Sequence, residues 1–456
     1  MSKRYQGNII SKTPVAPANG FSDTPAPGVW SIAEAEAYTK AGLWPNQANG
    51  PAPVPYYSRQ DNTNTSGYIY NYYNVGTAIS SDGYTARCYA GRNSGYSAYY
   101  NVIQCFDEEG NLNFWKYDGF DSRYDSTQPY DVCIDDNYVY MVYGYYEYPV
   151  TSVKDRAYMT CFDRDTGAVQ WNRMYNNLRV ATNNAVGHRL DNGASGELVM
   201  AGKYQNGVGN SGYIARISKT DGSIIASKQT TDGYTTVSEC HGIRYLDGTI
   251  LCNLGYSDWS VNNALTTVNA CAGTGTDMVG FDAGPSLSAR LTTSQLIVMN
   301  HSFTRQWGYS TSGDTPKDVM IDSDDNVYLV YDNASKVTKW DSSGTLVWQR
   351  SFGASNFGVN SRPVGSRIRN GMFTAHRNTG ASSLNQGIYK LKEDGSGTGT
   401  YGDFVYSSTT KSFSSDTQTT STRSGSIAND IGSSSSQSVT WYNQGGTNTE
   451  TVYTIT

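Results

Sequence analysis

The stretch "DVCIDDNYVYMVY" (Asp131–Tyr143) recurs, slightly lengthened, as "DVMIDSDDNVYLVY" (Asp318–Tyr331). In both, a short apolar run meets an acidic turn and continues as a run rich in Val and Tyr. Asp and Asn suit the turn because their side chains bond the local backbone. Val and Tyr suit strands. Each copy therefore reads as two antiparallel strands. In both copies the second strand reads as an alternating apolar strand.

Weaker copies follow at Val75 ("VGTAISSDGYTARCYAG"), Val186 ("VGHRLDNGASGELVMAG"), Cys240 ("CHGIRYLDGTILCNLG") and Val364 ("VGSRIRNGMFTAH"). A second strand–turn–strand element follows each one. It is clearest in "NVIQCFDEEGNLNFWKY" (from Asn101), "AYMTCFDRDTGAVQWNRMY" (from Ala157), "GYIARISKTDGSIIASK" (from Gly212) and "SKVTKWDSSGTLVWQRSF" (from Ser335). Gly110, Gly167, Gly222 and Gly344 close these turns, where glycine accepts the required backbone angles. Trp115, Trp171, Trp307 and Trp348 mark the strand after the turn and are expected at equivalent places, packed between neighbouring units or against the outer strands. This gives six units of four strands from about Val75 to about Gly402. A four-stranded unit cannot bury both faces alone, and radial stacking solves this, so the expected fold is an all-β, six-bladed β-propeller.

The repeats also carry a resemblance. "CFDRDTGAVQW" and "KWDSSGTLVWQ" resemble the outer-strand motif of quinoprotein-like (PQQ-like) propeller repeats, and "VMIDSDDNVYLVY" resembles NHL-type repeats. The resemblance implies fold only. Residues 257–294 read as a long polar, glycine-rich excursion within the fourth unit. The chain divides into an arm (1–60), a propeller (61–406) and a Ser/Thr-rich tail (407–456), read as flexible by composition with a strand at "TETVYTIT".

Charged residues make up 16% of the chain, and the formal net charge is −6. That argues against a nucleic-acid partner, which needs a basic footprint. No stretch nears the roughly 18 apolar residues of a membrane span, so no membrane insertion is expected. Tyr outnumbers Phe 37 to 12, a composition suited to exposed sheet and to contacts. The seven cysteines (Cys88, Cys105, Cys133, Cys161, Cys240, Cys252 and Cys271) show no ligand spacing and sit among apolar neighbours. They read as buried thiols of a protein made in a reducing cell.

No catalytic constellation emerges. The G-x-S-x-G elbow is absent. His188, His241, His301 and His376 occur singly near strands. Asp322–Asn326 lacks the Gly and distal Glu of a calcium loop. The quinoprotein enzymes' adjacent cysteines are missing too. No metal, no cofactor and no enzymatic activity are expected.

The arm differs from the body. Eight of the 13 prolines lie between Pro14 and Pro55, which keeps this segment out of a sheet. Within it, "GVWSIAEAEAYTKAGLWP" (Gly28–Pro45) predicts one helix over 31–41. Ser31 and Glu34 form a capping box, Gly42 caps the end, and Pro45 forbids continuation. Three turns are marginal alone, so the helix is expected to dock through Trp30, Leu43 and Trp44, either on the chain's own body or on another subunit. "MSKRYQGNII" followed by this helix resembles the leader of virion structural proteins of tailed phages, marine and cyanobacterial ones in particular. Tyr5 belongs to the opening motif, and Asn8 stands where Gly is common. The resemblance covers about the first 45 residues. It implies a component of the tail, baseplate or fibre apparatus, made in the host cytoplasm and located in the virion. Its partners would be other virion proteins, met through residues 1–60 in many copies, and a host-surface glycan or protein. The alternative readings are a propeller enzyme cleaving polysaccharide, as lyase or glycosidase, and a cellular propeller scaffold.

Overall fold

The structure is a computed structural model. It describes residues 56–454 apart from connections at 63–68, 94–98, 119–123, 148–155, 177–187, 206–209, 232–239, 256, 273–277, 312–315, 332–335, 354–365, 369–371, 378–384, 402–403, 411, 416–420, 423–425, 431–432, 437–440 and 444–448. The arm with its helix and Tyr5, Trp30, Leu43 and Trp44 lies outside the described residues. By internal contacts the chain separates into Met1–Pro55 and Tyr56–Thr456.

The described residues are all β. They form a propeller of seven antiparallel sheets, so the expected six is corrected to seven. Blade 1 runs outward from Ile69–Ile79 through Thr85–Asn93 and Tyr99–Phe106 to Leu112–Asp118. Blade 2 holds Tyr124–Ile134, Tyr138–Glu147, Arg156–Asp163 and Val169–Asn176. Blade 3 holds His188–Asn192, Glu197–Gln205, Asn210–Ser218 and Ile224–Thr231. Blade 4 holds Cys240–Leu246, Thr249–Leu254, Ser257–Asn262 and Thr267–Ala272. Blade 5 holds Met278–Ala283, Leu287–Thr292, Gln295–Asn300 and Arg305–Ser310. Blade 6 holds Pro316–Ile321, Val327–Tyr331, Lys336–Trp340 and Leu346–Gly353. Blade 7 takes Ser366–Ile368, Met372–Arg377 and Asn385–Leu391 from one end of the body and Tyr57–Asn62 from the other. Each innermost strand touches the next, and blade 7 touches blade 1, so the ring is closed.

The miscount has a definite origin. Residues 257–294 are not an excursion. They are the two outer strands of blade 4 and the two inner strands of blade 5. Their core residues Trp259, Val261, Phe281 and Leu291 are buried like those of any other blade. Blade 4 lacks the Trp and Gly that mark an outer hairpin, so two blades passed for one. The alternation expected of the second strand is corrected as well. In blade 2, Val139, Tyr140, Met141, Val142 and Tyr143 are all fully buried, because neighbouring blades cover both faces of the strand.

Two boundaries also change. Tyr57–Asn62 belongs to the propeller, pairing with Lys390–Asn385, so the body begins at Tyr56 rather than at 61. Residues 407–456 are not simply a flexible tail. The described strands from Phe404 onward each pair antiparallel with the outer strand of a blade, first blade 6, then blades 4, 3, 2, 1 and 7. At blade 5 the described residues make one bridge, Tyr309 with Ser415.

Candidate functional site

One face of the ring carries the turns between first and second strands and between third and outer strands. Two repeated staples join neighbouring blades there. In the first, an aromatic ring of an outer strand covers the turn glycine of the next blade. A Cβ on Gly222 would lie 2.5 Å from the Trp171 ring, one on Gly344 2.8 Å from Trp307, one on Gly395 2.8 Å from Trp348, and one on Gly167 2.5 Å from Phe114. Only glycine fits beneath the ring, and its positive φ (65° to 86° at Gly167, Gly222, Gly344 and Gly395) serves the turn as well. Each indole Nε1 donates onward, Trp171 to Lys219 O at 2.9 Å, Trp307 to Ser342 O at 3.0 Å and Trp348 to Glu393 O at 3.2 Å.

Trp171, Trp307 and Trp348 are thus equivalent. Trp115 is not: in blade 1 the position belongs to Phe114, opposite Cys105 as Trp171 is opposite Cys161. One residue along a strand changes face, and Trp115 instead packs with Tyr89 and Val102. Gly110 occupies the corresponding turn of blade 1, with φ 87°.

The second staple is cationic and went unread in the sequence. Arg216, Lys339 and Lys390 occupy one register position on the third strands. Each donates to a carbonyl in the next blade's turn: Arg216 Nη1 to Asn263 O at 2.8 Å, Lys339 Nζ to Glu393 O at 3.2 Å and Lys390 Nζ to Glu108 O at 3.3 Å. Blades 1 and 2 have Cys105 and Cys161 at this position, which hid the pattern. Carboxylates of the first turns take further cations from the following blade, Asp82 from Arg164 and Asp135 from Lys219, both at 2.7 Å. The Arg164 guanidinium also lies 3.7 Å over the Tyr84 ring.

Around the axis, carboxylates of one innermost strand accept backbone N–H groups of the next. Asp131 takes Leu190 N, Asp191 takes Tyr245 N, both at 3.0 Å, and Asp282 takes Ile321 N at 2.8 Å. Arg244 joins the series, its Nε 2.5 Å from Asp282 and its Nη1 3.8 Å from Asp191. Arg290 and Asp258 form an ion pair buried between blades 5 and 4. Burial raises the Asp258 pKa, against the pull of Arg290.

Charges are spent on neighbouring blades, and burial pushes the Cys240 thiol up to about 12 and Cys88 well above its ordinary value, so neither is poised as a thiolate nucleophile. Among the described residues no group of three or more His, Cys, Asp or Glu could hold a metal ion.

The fold and its staples define the class: a seven-bladed β-propeller girdled by its own C-terminal segment. No family model and no curated protein matches the chain. Solved structures similar to it include the Dos1 propeller, at 11% identity and TM-score 0.45, covering 77% of this chain and 98% of that one. A virginiamycin B lyase from Staphylococcus aureus is similar at 11% identity and TM-score 0.47, covering 74% and 100%. The Pan2 WD40 domain of Neurospora crassa matches at 10% and 0.43, covering 70% and 90%. These likenesses concern the fold alone.

Proposed function

We propose that the protein is a structural component of a tailed-phage virion, of its tail, baseplate or fibre apparatus. On this reading residues 1–55 dock on another virion subunit and the propeller is the body so attached. The observation that carries the reading is the leader: the Tyr5–Gln6–Gly7 opening followed by Gly28–Pro45 with Trp30, Leu43 and Trp44. It is supported by the division of the chain between Pro55 and Tyr56, which separates the leader from a body that closes upon itself. The blade-to-blade staples suit a rigid part used in many copies, and the many tyrosines suit contact with other subunits or with a host-surface glycan or protein.

The test is mass spectrometry of purified particles from cells infected with the phage that encodes the chain. The protein should be present in stoichiometric amount relative to tail proteins. Its absence from particles, with abundant protein in the lysate, overturns the reading in favour of a cellular scaffold or an enzyme.

A further inference from the structure

The outer strands of six blades share a defect. Opposite the third strand, the register skips one residue near the start of each outer strand: Asn113, Gln170, Ile225, Val268, Gln306 and Val347. Such bulges twist an edge and end pairing on it. The encircling segment begins its pairing three positions beyond the bulge in every case: at Lys116, Arg173, Lys228, Cys271, Tyr309 and Arg350. The bulge therefore sets where the edge becomes available, and the segment covers what lies beyond it. Blade 7 differs. Its outer strand Tyr57–Asn62 is paired along all six residues on both sides, with Lys390–Asn385 inward and with Thr454–Thr449 outward.

Pairing strands start at Ser421, Ser426, Ser433, Trp441 and Thr449, five to eight residues apart. At about 3.3 Å per residue at full extension, each step can reach at most roughly 16–26 Å. Two aromatics anchor the segment's beginning: Tyr406 is buried with Trp348 and Tyr389, and Phe413 lies 5.0 Å from the Trp340 ring and 6.0 Å from Tyr309. Beyond them the ladders are backbone bonds to edges that the blades supply. Such pairing asks little of side chains, which is why a Ser/Thr-rich sequence suffices.

We propose that the described strands between Phe404 and Thr454 are a closing belt. They dock on the finished ring, and the last strand, Thr449–Thr454, holds Tyr57–Asn62 in blade 7 and so keeps the ring shut. Without it Tyr57–Asn62 is an edge strand at the start of the body, held by one ladder, and such strands open first. With it the same residues are a central strand between two ladders. The first and last segments of the body lock each other, and the closure depends on no covalent bond.

Hydrogen exchange on the full chain and on a chain ending at Gly446 tests this. In the shortened chain the amides of 57–62 should exchange at least about tenfold faster, while those of 249–254 in blade 4 keep their rate. A synthetic peptide of residues 447–456 should restore the protection. Unchanged exchange at 57–62 overturns the proposal, and so does equal acceleration in blade 4, because the effect would then be general destabilisation. Should the shortened chain not fold, Val452→Pro in the full chain removes a backbone donor within the same strand and is read the same way. Particles play no part in the experiment, so its outcome is independent of the virion reading.

Discussion

Lys390 Nζ donates to Gly83 O at 2.8 Å and to Glu108 O at 3.3 Å, tying the last blade to two turns of the first. The side chain is fully buried. Burial pushes its pKa down to about 8, against the pull of Glu108, Glu109, Asp107 and Asp82. Between about 8 and the ordinary value of 10.5 the unfolded chain binds more protons than the folded one. Stability from this group therefore rises with pH across that window, by up to about 1.4 kcal/mol per pH unit. Lys390→Met should abolish that rise. Urea unfolding of both chains at three pH values from neutral to alkaline checks it, and parallel profiles would show that the ammonium is solvated.

The aromatic staples should differ in strength according to burial. Trp348 is buried, and Trp348→Ala should cost about 3–5 kcal/mol. Trp171 is only half-buried and should cost less, about 2 kcal/mol. Gly222→Ala combines a positive φ with a Cβ 2.5 Å from the Trp171 ring, so it should destabilise as well. In Trp171→Ala the clash is gone, and adding Gly222→Ala should then cost less than it does alone. A double-mutant cycle by chemical denaturation reads this coupling. Strict additivity would mean that ring and turn do not touch.

Much of this architecture was legible in the sequence, and what was not has physical causes. The existence of strands at Val139–Tyr143 and Val327–Tyr331 was legible from their Val and Tyr content, but the expected alternation was wrong, because neighbouring blades cover both faces and every residue is buried. Blade 4 ends in "TVNACA" without an aromatic staple, and no composition signal separates it from blade 5. Tyr57–Asn62, "YSRQDN", has no apolar alternation to mark it as a strand. The belt was least legible of all. Its pairing uses backbone groups, and stretches such as "SSSS" at 433–436 carry no side-chain pattern to read. The cationic staple was hidden for another reason: Cys at the equivalent position in two blades masks a motif visible only once register is known.

His188 is buried in blade 3, its Nδ1 2.6 Å from the Tyr213 hydroxyl and its ring edge-on to Tyr130. Burial pushes its pKa down to about 3 from an ordinary 6.5. Below 6.5 the unfolded chain takes up a proton that the folded chain refuses, so stability from this group is fully present above 6.5 and is lost as pH falls toward 3. His188→Gln keeps a partner for Tyr213 and should flatten part of the acid limb of a melting-temperature profile between those limits. An unchanged acid limb would assign the loss to other groups.

All seven cysteines are buried, and none forms a disulfide. Burial raises the pKa of Cys105, Cys133 and Cys161 as well as that of Cys240. A thiol reagent should therefore label the folded protein very slowly at neutral pH, since the thiolate is the reactive form. In denaturant without reductant it should titrate close to seven thiols. Rapid labelling of the native protein would show that one of these strands opens readily.

The arm gives the sharpest separation between fold and role. Residues 57–62 complete blade 7, so a deletion of 1–60 would remove part of the closing strand and damage the ring for reasons unrelated to docking. The cut belongs after Pro55. A chain starting at Tyr56 keeps every described strand of the propeller and should melt within a few degrees of the full chain. If residues 1–55 are the docking piece, this shortened chain should no longer enter particles. Trp30→Ala combined with Trp44→Ala should weaken incorporation more mildly, because burying a large apolar side chain contributes about 1.5–3 kcal/mol each, an effect multiplied when many copies bind together. The measurement is the amount of each chain in purified virions, alongside its melting temperature in solution. A shortened chain that melts normally and still enters particles would move the docking function from the leader to the propeller itself.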